Sequence, residues 1–248
     1  MLGDDEEDRG PYPDAYSRGY TYRYDNTGPN RLAYLEPAGY RAPRTSRQEM
    51  IDLSIAVAVL TIVFGMPYGG AMTLLGAPLW LIGALFGFSF VAVMLSIFPH
   101  ELAHKFVAQR YGYWAEFRRN DQFLVISLLL SLFGGFGIAA PGAVMIAGPV
   151  TTESNGKISA VGPGTNCLMG ALIFPVALFG GNYPLVQYLA AQIVWVNVIL
   201  GIFNMMPFWI FDGAKVWKWN AGVYICLLAL LIVLGVGVYF SDFLQILA

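Results

Sequence analysis

From Leu53 to Pro99 the chain runs for 47 consecutive positions without an Asp, Glu, Lys or Arg. A bilayer crossing takes roughly 20 apolar residues, so this stretch is long enough for two helices, and Pro67, Gly69 and Gly70 supply the turn between them. A second uncharged stretch covers the 54 positions from Ile158 to Phe211, broken near Gly180, Gly181 and Asn182, and a third covers Trp219 to Ser241. With 57% hydrophobic and 12% charged residues and a mean hydropathy of +0.58, lipid rather than water is the natural solvent. The sequence therefore predicts an all-α polytopic membrane protein.

Several classes of partner and framework are disfavoured by the same composition. A net charge of −2 offers no field to attract nucleic acid, so no nucleic-acid partner is expected. Cys167 and Cys226 lie in apolar runs and read as packing residues, with neither a disulfide framework nor a CxxC zinc site around them.

Residues 1–48 hold seven of the fourteen tyrosines among Arg, Pro, Gly and Asp and show neither helical nor strand periodicity. They are expected to form a disordered cytoplasmic tail, leaving 49–248 as the membrane domain. Ser46 and Glu49 have the spacing of a capping box just before the apolar Met50 and Ile51, which starts the first membrane helix there. Gly83 and Gly87 form a GxxxG pattern that suggests close helix packing.

Residues 123–139 are apolar enough to span, yet Gly134, Gly135 and Gly137 interrupt them and Pro141 and Gly142 follow. Orientation decides their fate. Arg41, Arg44 and Arg47 precede the first helix, Lys105, Arg110, Arg118 and Arg119 follow the second, and Lys215 and Lys218 follow the helix ending near Asn204. The positive-inside rule puts all three flanks in the cytoplasm, which requires an even number of crossings between Arg119 and Lys215. The helix pair in 162–206 already supplies two. Residues 123–150 are thus predicted to enter and leave on one side, as a helix with a Gly-rich, extended, re-entrant return. Such backbone is tolerated at depth only where protein or a wet cavity shields it. Five full crossings result, with the amino terminus inside and the carboxyl terminus outside.

The sequence IFPHELAHKFVAQRYG places His100 and His104 one helical turn apart, so both imidazoles can meet one metal ion while Glu101 acts on its bound water. The chain has two histidines and both are here. The plainer alternative is a polar cluster at a helix end, but two His and a Glu beside an uncharged run are costly unless neutralised or ligated. Pro99 is expected to kink the helix just before them.

A catalytic zinc needs a third protein ligand, and with no histidine left it must be a carboxylate. Of Glu116, Asp121, Glu153, Asp212 and Asp242, Asp212 directly follows a long apolar run and lies on the same predicted side as His104. Pro207 stops the preceding helix and Gly213 permits a tight turn there. On the residues alone, a metal ligand and an interfacial acid paired with Lys215 are equally good readings of Asp212.

HELAH at 100–104, followed by Asn204-x-x-Pro207 and Asp212-Gly213, resembles the site-2 protease family of intramembrane metalloproteases. Gly162-Pro163-x-x-Asn166 and the glycine-rich stretch from Gly134 to Gly148 add to the likeness, which spans about residues 77–215. Two departures are Ala103 where glycine is frequent and a longer apolar run at 123–133. The resemblance implies one Zn²⁺ per chain on His100, His104 and Asp212, with Glu101 as catalytic acid and base. It also implies substrate-binding roles for Asn204, Asn166 and Gly135, though Asn204 reads equally well as an interhelical hydrogen bond. Asn197, one heptad earlier, reads better as such a bond. The implied partners are transmembrane protein substrates, such as membrane-tethered transcription regulators, in a prokaryotic (archaeal or bacterial) cell membrane. The oligomeric state is not legible.

Two rival classes remain at this point. A transporter or channel could use His, Glu and Asp as an ion path and enlist Gln187, Gln192 and Asn197, but no internal repeat supports it. An inactive membrane scaffold would keep the fold alone.

Overall fold

The structure, a computed structural model, describes residues 20–25, 32–37, 45–67, 69–135, 137, 141–180, 182–208 and 211–247. Helix α1 (Arg47–Gly65) begins where predicted, with Ser46 Oγ accepting from the Glu49 amide at 3.1 Å. Glu49 does not return to the Ser46 backbone as a full capping box would require. Its carboxylate instead meets Lys105 Nζ and the Phe117 amide, since a buried acid gains more from an ammonium than from one helix-end amide.

A 3-10 turn at Gly70–Leu74 leads to α2 (Leu79–Arg110), which continues through Pro99. Strand β3 (Trp114–Arg119) follows at once, then α3 (Asp121–Gly134) and strand β4 (Gly142–Ala147). The two strands pair antiparallel from Trp114↔Ala147 to Arg119↔Gly142. The remaining helices are α4 (Thr152–Phe179), α5 (Pro184–Asn204), α6 (Asp212–Trp219) and α7 (Ala221–Leu247).

Among the described residues five helices are long and apolar enough to cross a membrane: α1, α2, α4, α5 and residues 221–240 of α7. Helix α3 has 14 residues, about 21 Å at 1.5 Å per residue, short of a hydrocarbon core of roughly 30 Å. It ends at Gly135, whose φ of 70° lies in the left-handed region open to glycine. The chain then returns extended as β4. The expected helix and the extended segment after it are present as α3 and β4. Its partner strand β3 was not foreseen, because WAEFRR carries three charges and too little alternation to read as buried sheet.

Helix α4 sits at the centre, packed against α2, α5, α6 and α7. Beside it, Val57, Leu60 and Val63 of α1, Val93 and Ile97 of α2, Leu124 of α3 and Leu200 of α5 form one buried cluster. In lipid such contacts hold by van der Waals packing and by small residues that admit close approach. The GxxxG pair does not serve this purpose: nothing lies within 4 Å of where Gly83 or Gly87 would carry a Cβ. The close approach of α1 to α2 is at Gly65, over the Phe86 ring. Cys167 is buried as expected, whereas Cys226 is exposed.

Most of the expected disordered tail lies outside the described residues. Within it, β1 (Tyr20–Asp25) and β2 (Leu32–Pro37) pair antiparallel as a separate two-stranded sheet.

Candidate metal centre

Helix α2 presents His100 and His104 on one face with their Nε2 atoms 3.1 Å apart. The carboxylate that closes on them comes from the first residue of α6: Asp212 Oδ2 lies 3.0 Å from His104 Nε2 and 3.6 Å from His100 Nε2. Zinc bonds of about 2.0–2.1 Å at tetrahedral angles put neighbouring ligand atoms roughly 3.3 Å apart. The three edges lie close to that value, so the donor set fits a zinc ion in both chemistry and spacing. Among the described residues these three side chains form a group of potential ligand atoms all within 4.8 Å of one another.

Local chemistry explains how Asp212 arrives there. After α5 ends, the chain reverses within a few residues, with Phe211 N donating to Phe208 O and the Phe211 ring edge-on to Phe203 at 4.9 Å. Tyr224 of α7 donates to Met205 O at 2.9 Å and fixes the start of the reversal. Gly213 has ordinary helical geometry. Its contribution is the missing Cβ, which would strike the Met205 backbone. The geometry leaves room for both sequence readings of Asp212, because Oδ2 faces the imidazoles, close enough to share a metal ion with them, while Oδ1 lies 3.5 Å from Lys215 Nζ. Burial alone would raise this carboxyl, but His104, His100 and Lys215 outweigh it and hold the group well below the usual carboxylate range.

Helix α4 supports the other side of the site. His104 Nδ1 donates to Ile158 O at 2.7 Å, and His100 Nδ1 meets Asn166 Oδ1. A ligating imidazole commonly gives its second N–H to such a partner, which fixes ring and tautomer. Gly162 lies between these two contacts; a Cβ there would collide with both imidazole rings. Glu101 is buried beside them on α2.

The chain is 35% identical over 182 residues to the protein named "Putative zinc metalloprotease MJ0611" of Methanocaldococcus jannaschii, an overlap covering 73% of this chain and 89% of that relative. The chain belongs to the site-2 protease family. The other relatives match over shorter stretches. "Putative zinc metalloprotease Rip3" of Mycobacterium tuberculosis is 32% identical over 139 residues, 55% of this chain and 30% of that protein. "Zinc metalloprotease MJ0392" of Methanocaldococcus jannaschii is 27% identical over 131 residues, 51% of this chain and 32% of that protein. No family profile and no solved structure matches the chain.

As a site-2 protease homologue with, among the described residues, five helices long and apolar enough to span a bilayer, the chain is an integral membrane protein. Of the further residues named from the sequence, Asn166 is buried against His100. Asn204 Nδ2 bonds instead to Leu200 O of its own helix at 3.0 Å, and Gly135 caps α3. The polar residues open to an ion-path reading are tied between helices: Gln187 Nε2 to Ala177 O, Gln192 Nε2 to Phe64 O, and Asn197 to Asn166 and Ser96. Ser96 and Ile158 were missed by sequence reasoning. Ser96 stands one helical turn before His100, a spacing that could have flagged it. Ile158 acts through its backbone oxygen, which no side-chain pattern reveals.

Proposed function

We propose that the protein is an intramembrane zinc metallopeptidase, holding one zinc ion and cutting peptide bonds within or near transmembrane segments of membrane-tethered regulatory proteins. The observation that carries this reading is the convergence of His100, His104 and Asp212 from distant parts of the chain, beside a buried Glu101. Zinc bound there supplies a water acidified toward a pKa of about 7 and a Lewis acid for the scissile carbonyl. With zinc held there, Glu101 would be the group that accepts a proton on its carboxylate and returns it to the departing amine. Asp212 and the imidazoles hold their donor atoms in place, so no ligand has to reorganise during the reaction.

A substrate helix must unwind before it can be cut, because its carbonyls are bonded within the helix. Strand β4 has β3 on one side, and among the described residues no further strand pairs with it. An unwound substrate segment adding to that edge exchanges helical hydrogen bonds for ladder bonds. With the basic flanks in the cytoplasm of an archaeal or bacterial cell, the amino terminus and the water supply of the site are on that side.

The test is purified Glu101→Gln in lipid, offered candidate transmembrane substrates. The reading expects normal zinc content and no cleavage, against cleavage by the unaltered chain. Cleavage by the variant, or none by the unaltered chain across a broad substrate panel, overturns it.

A further inference from the structure

The contact between Asn166 and His100 is the end of a chain of hydrogen bonds that begins and finishes on α2. Ser96 Oγ donates to Ala92 O at 2.7 Å. Asn197 Nδ2 of α5 donates to Ser96 Oγ at 2.7 Å and to Ile193 O at 2.9 Å. Asn166 Nδ2 of α4 donates to Asn197 Oδ1 at 3.0 Å, and Asn166 Oδ1 faces His100 Nδ1. Ser96, Asn166, Asn197 and the His100 ring are all buried, at 0–1% exposure, so water cannot replace a wrongly turned partner.

The order of donors and acceptors leaves one arrangement. A backbone carbonyl only accepts, so Ile193 O requires the amide nitrogen of Asn197 on its side. Asn197 Oδ1 must then point at Asn166, which has to offer it Nδ2. The oxygen of Asn166 is left facing His100, and an oxygen without a proton demands a donor there. His100 therefore carries a proton on Nδ1, which leaves Nε2 as the ring atom that faces Asp212 and His104.

We infer that Asn166 and Asn197 are positioning residues that set the tautomer of His100, with the orientation dictated by the carbonyl of Ile193. His104 reaches the same tautomer by the direct bond to Ile158 O. The two ligands are thus prepared by independent devices, one a backbone oxygen and one a relay across α2, α5 and α4. The consequence for zinc rests on the metallopeptidase reading above; the tautomer itself does not.

The chain contains two histidines, so histidine-selective ¹⁵N labelling, with a purification tag free of histidine, gives one spectrum with two rings. In the metal-free full-length protein in lipid, both rings are expected to be protonated at Nδ1. Asn166→Leu should lose that single state at His100 while His104 keeps it, which also reports that the fold around Ile158 survives. Asn166→Asp, still an acceptor, should restore it. Asn197→Leu should loosen the His100 state, and Ser96→Ala should leave it, because Ile193 O still orients Asn197. Zinc competition with a chelator should follow the same order, with a loss of about 10–100-fold for Asn166→Leu. A His100 ring that stays Nδ1-protonated in both leucine variants overturns the relay. If Asn166→Leu fails to fold, Asn197→Leu and the metal-free spectrum of the unaltered protein decide, since a His100 that lacks a proton at Nδ1 there also overturns it. Absence of zinc binding by the unaltered chain sinks the metal reading and leaves the tautomer measurement standing.

Discussion

Lys105 Nζ lies 2.5 Å from Glu49 Oε2, inside the protein and one residue beyond His104. Lys105 also donates to Thr45 Oγ1 at 3.1 Å, and Glu49 Oε1 accepts from the Phe117 amide at 3.1 Å. One acid in the first turn of α1 therefore ties the ligand helix α2 to strand β3.

Removing one partner of a buried pair strands a charge and costs about 3–5 kcal/mol, whereas replacing both with apolar residues is often close to neutral. Lys105→Met should accordingly lower unfolding stability in detergent by that amount. The double variant Glu49→Leu/Lys105→Met should recover much of it, though the Phe117 amide loses its acceptor. Equal stability of the single variant and the unaltered protein would show that the pair contributes nothing.

Gly162→Ala should weaken zinc binding by about tenfold or more, in the range found when groups supporting metal ligands are altered. The added Cβ meets ring atoms of both imidazoles, and neither ring can retreat while its Nδ1 is held. Gly164→Ala is the control, since nothing lies within 4 Å of its Cβ position. Metal analysis after dialysis against chelator measures both.

The edge-strand role of β4 has a proline test whose position the ladder dictates. Asn120 N bonds to Pro141 O, so by antiparallel alternation Ala143 and Met145 bond toward β3 and the Val144 amide points to the open edge. The Phe117 amide, opposite Val144, likewise turns away from β4 to Glu49. Val144→Pro should slow cleavage by up to about tenfold, the value of one net hydrogen bond of roughly 1 kcal/mol plus the blocked approach, with zinc content unchanged. Proline at Ala143 or Gly135 tests something else, because it breaks the β3 ladder or the α3 cap. Full-speed cleavage by Val144→Pro would argue against strand addition.

Stripping zinc should lower thermal stability, and zinc at a hundredfold excess over Kd should restore about 2.7 kcal/mol. Asp212→Ala should show no such response. Because the Asp212 carboxyl is held well below its ordinary value of about 3.9, its stabilising contacts are fully present above that pH. They are lost only as the pH falls through the lower folded value. Acid titration of the metal-free protein checks the sign, and a contribution lost on the way up in pH would contradict it.

The long apolar helices, the meeting of His100 with His104 and the helix-then-strand segment were legible because each rests on a one-dimensional signal: uncharged length for α1, α2, α4, α5 and α7, an i, i+4 spacing for His100 and His104, and the glycine-rich break at Gly134 and Gly135 for α3 and β4. Asp212 was half legible, since the apolar run before it is visible but the Phe203–Phe211 and Tyr224–Met205 contacts that fold it back are not. What stayed hidden involves pairs far apart in sequence. Glu49 reads locally as a capping residue and is spent on Lys105; Gly83 and Gly87 read as a packing motif and face open space.

The relay from Ser96 through Asn197 and Asn166 crosses three helices, α2, α5 and α4, that are separate segments of the chain. A chain whose α4 has not yet docked has neither Asn166 nor the Ile158 oxygen beside its imidazoles, and one whose α5 has not docked lacks the Asn197 that orients Asn166. On the proposed function, the metal centre is complete only once the bundle has closed, so a half-docked chain would lack the activity that the closed one is proposed to have.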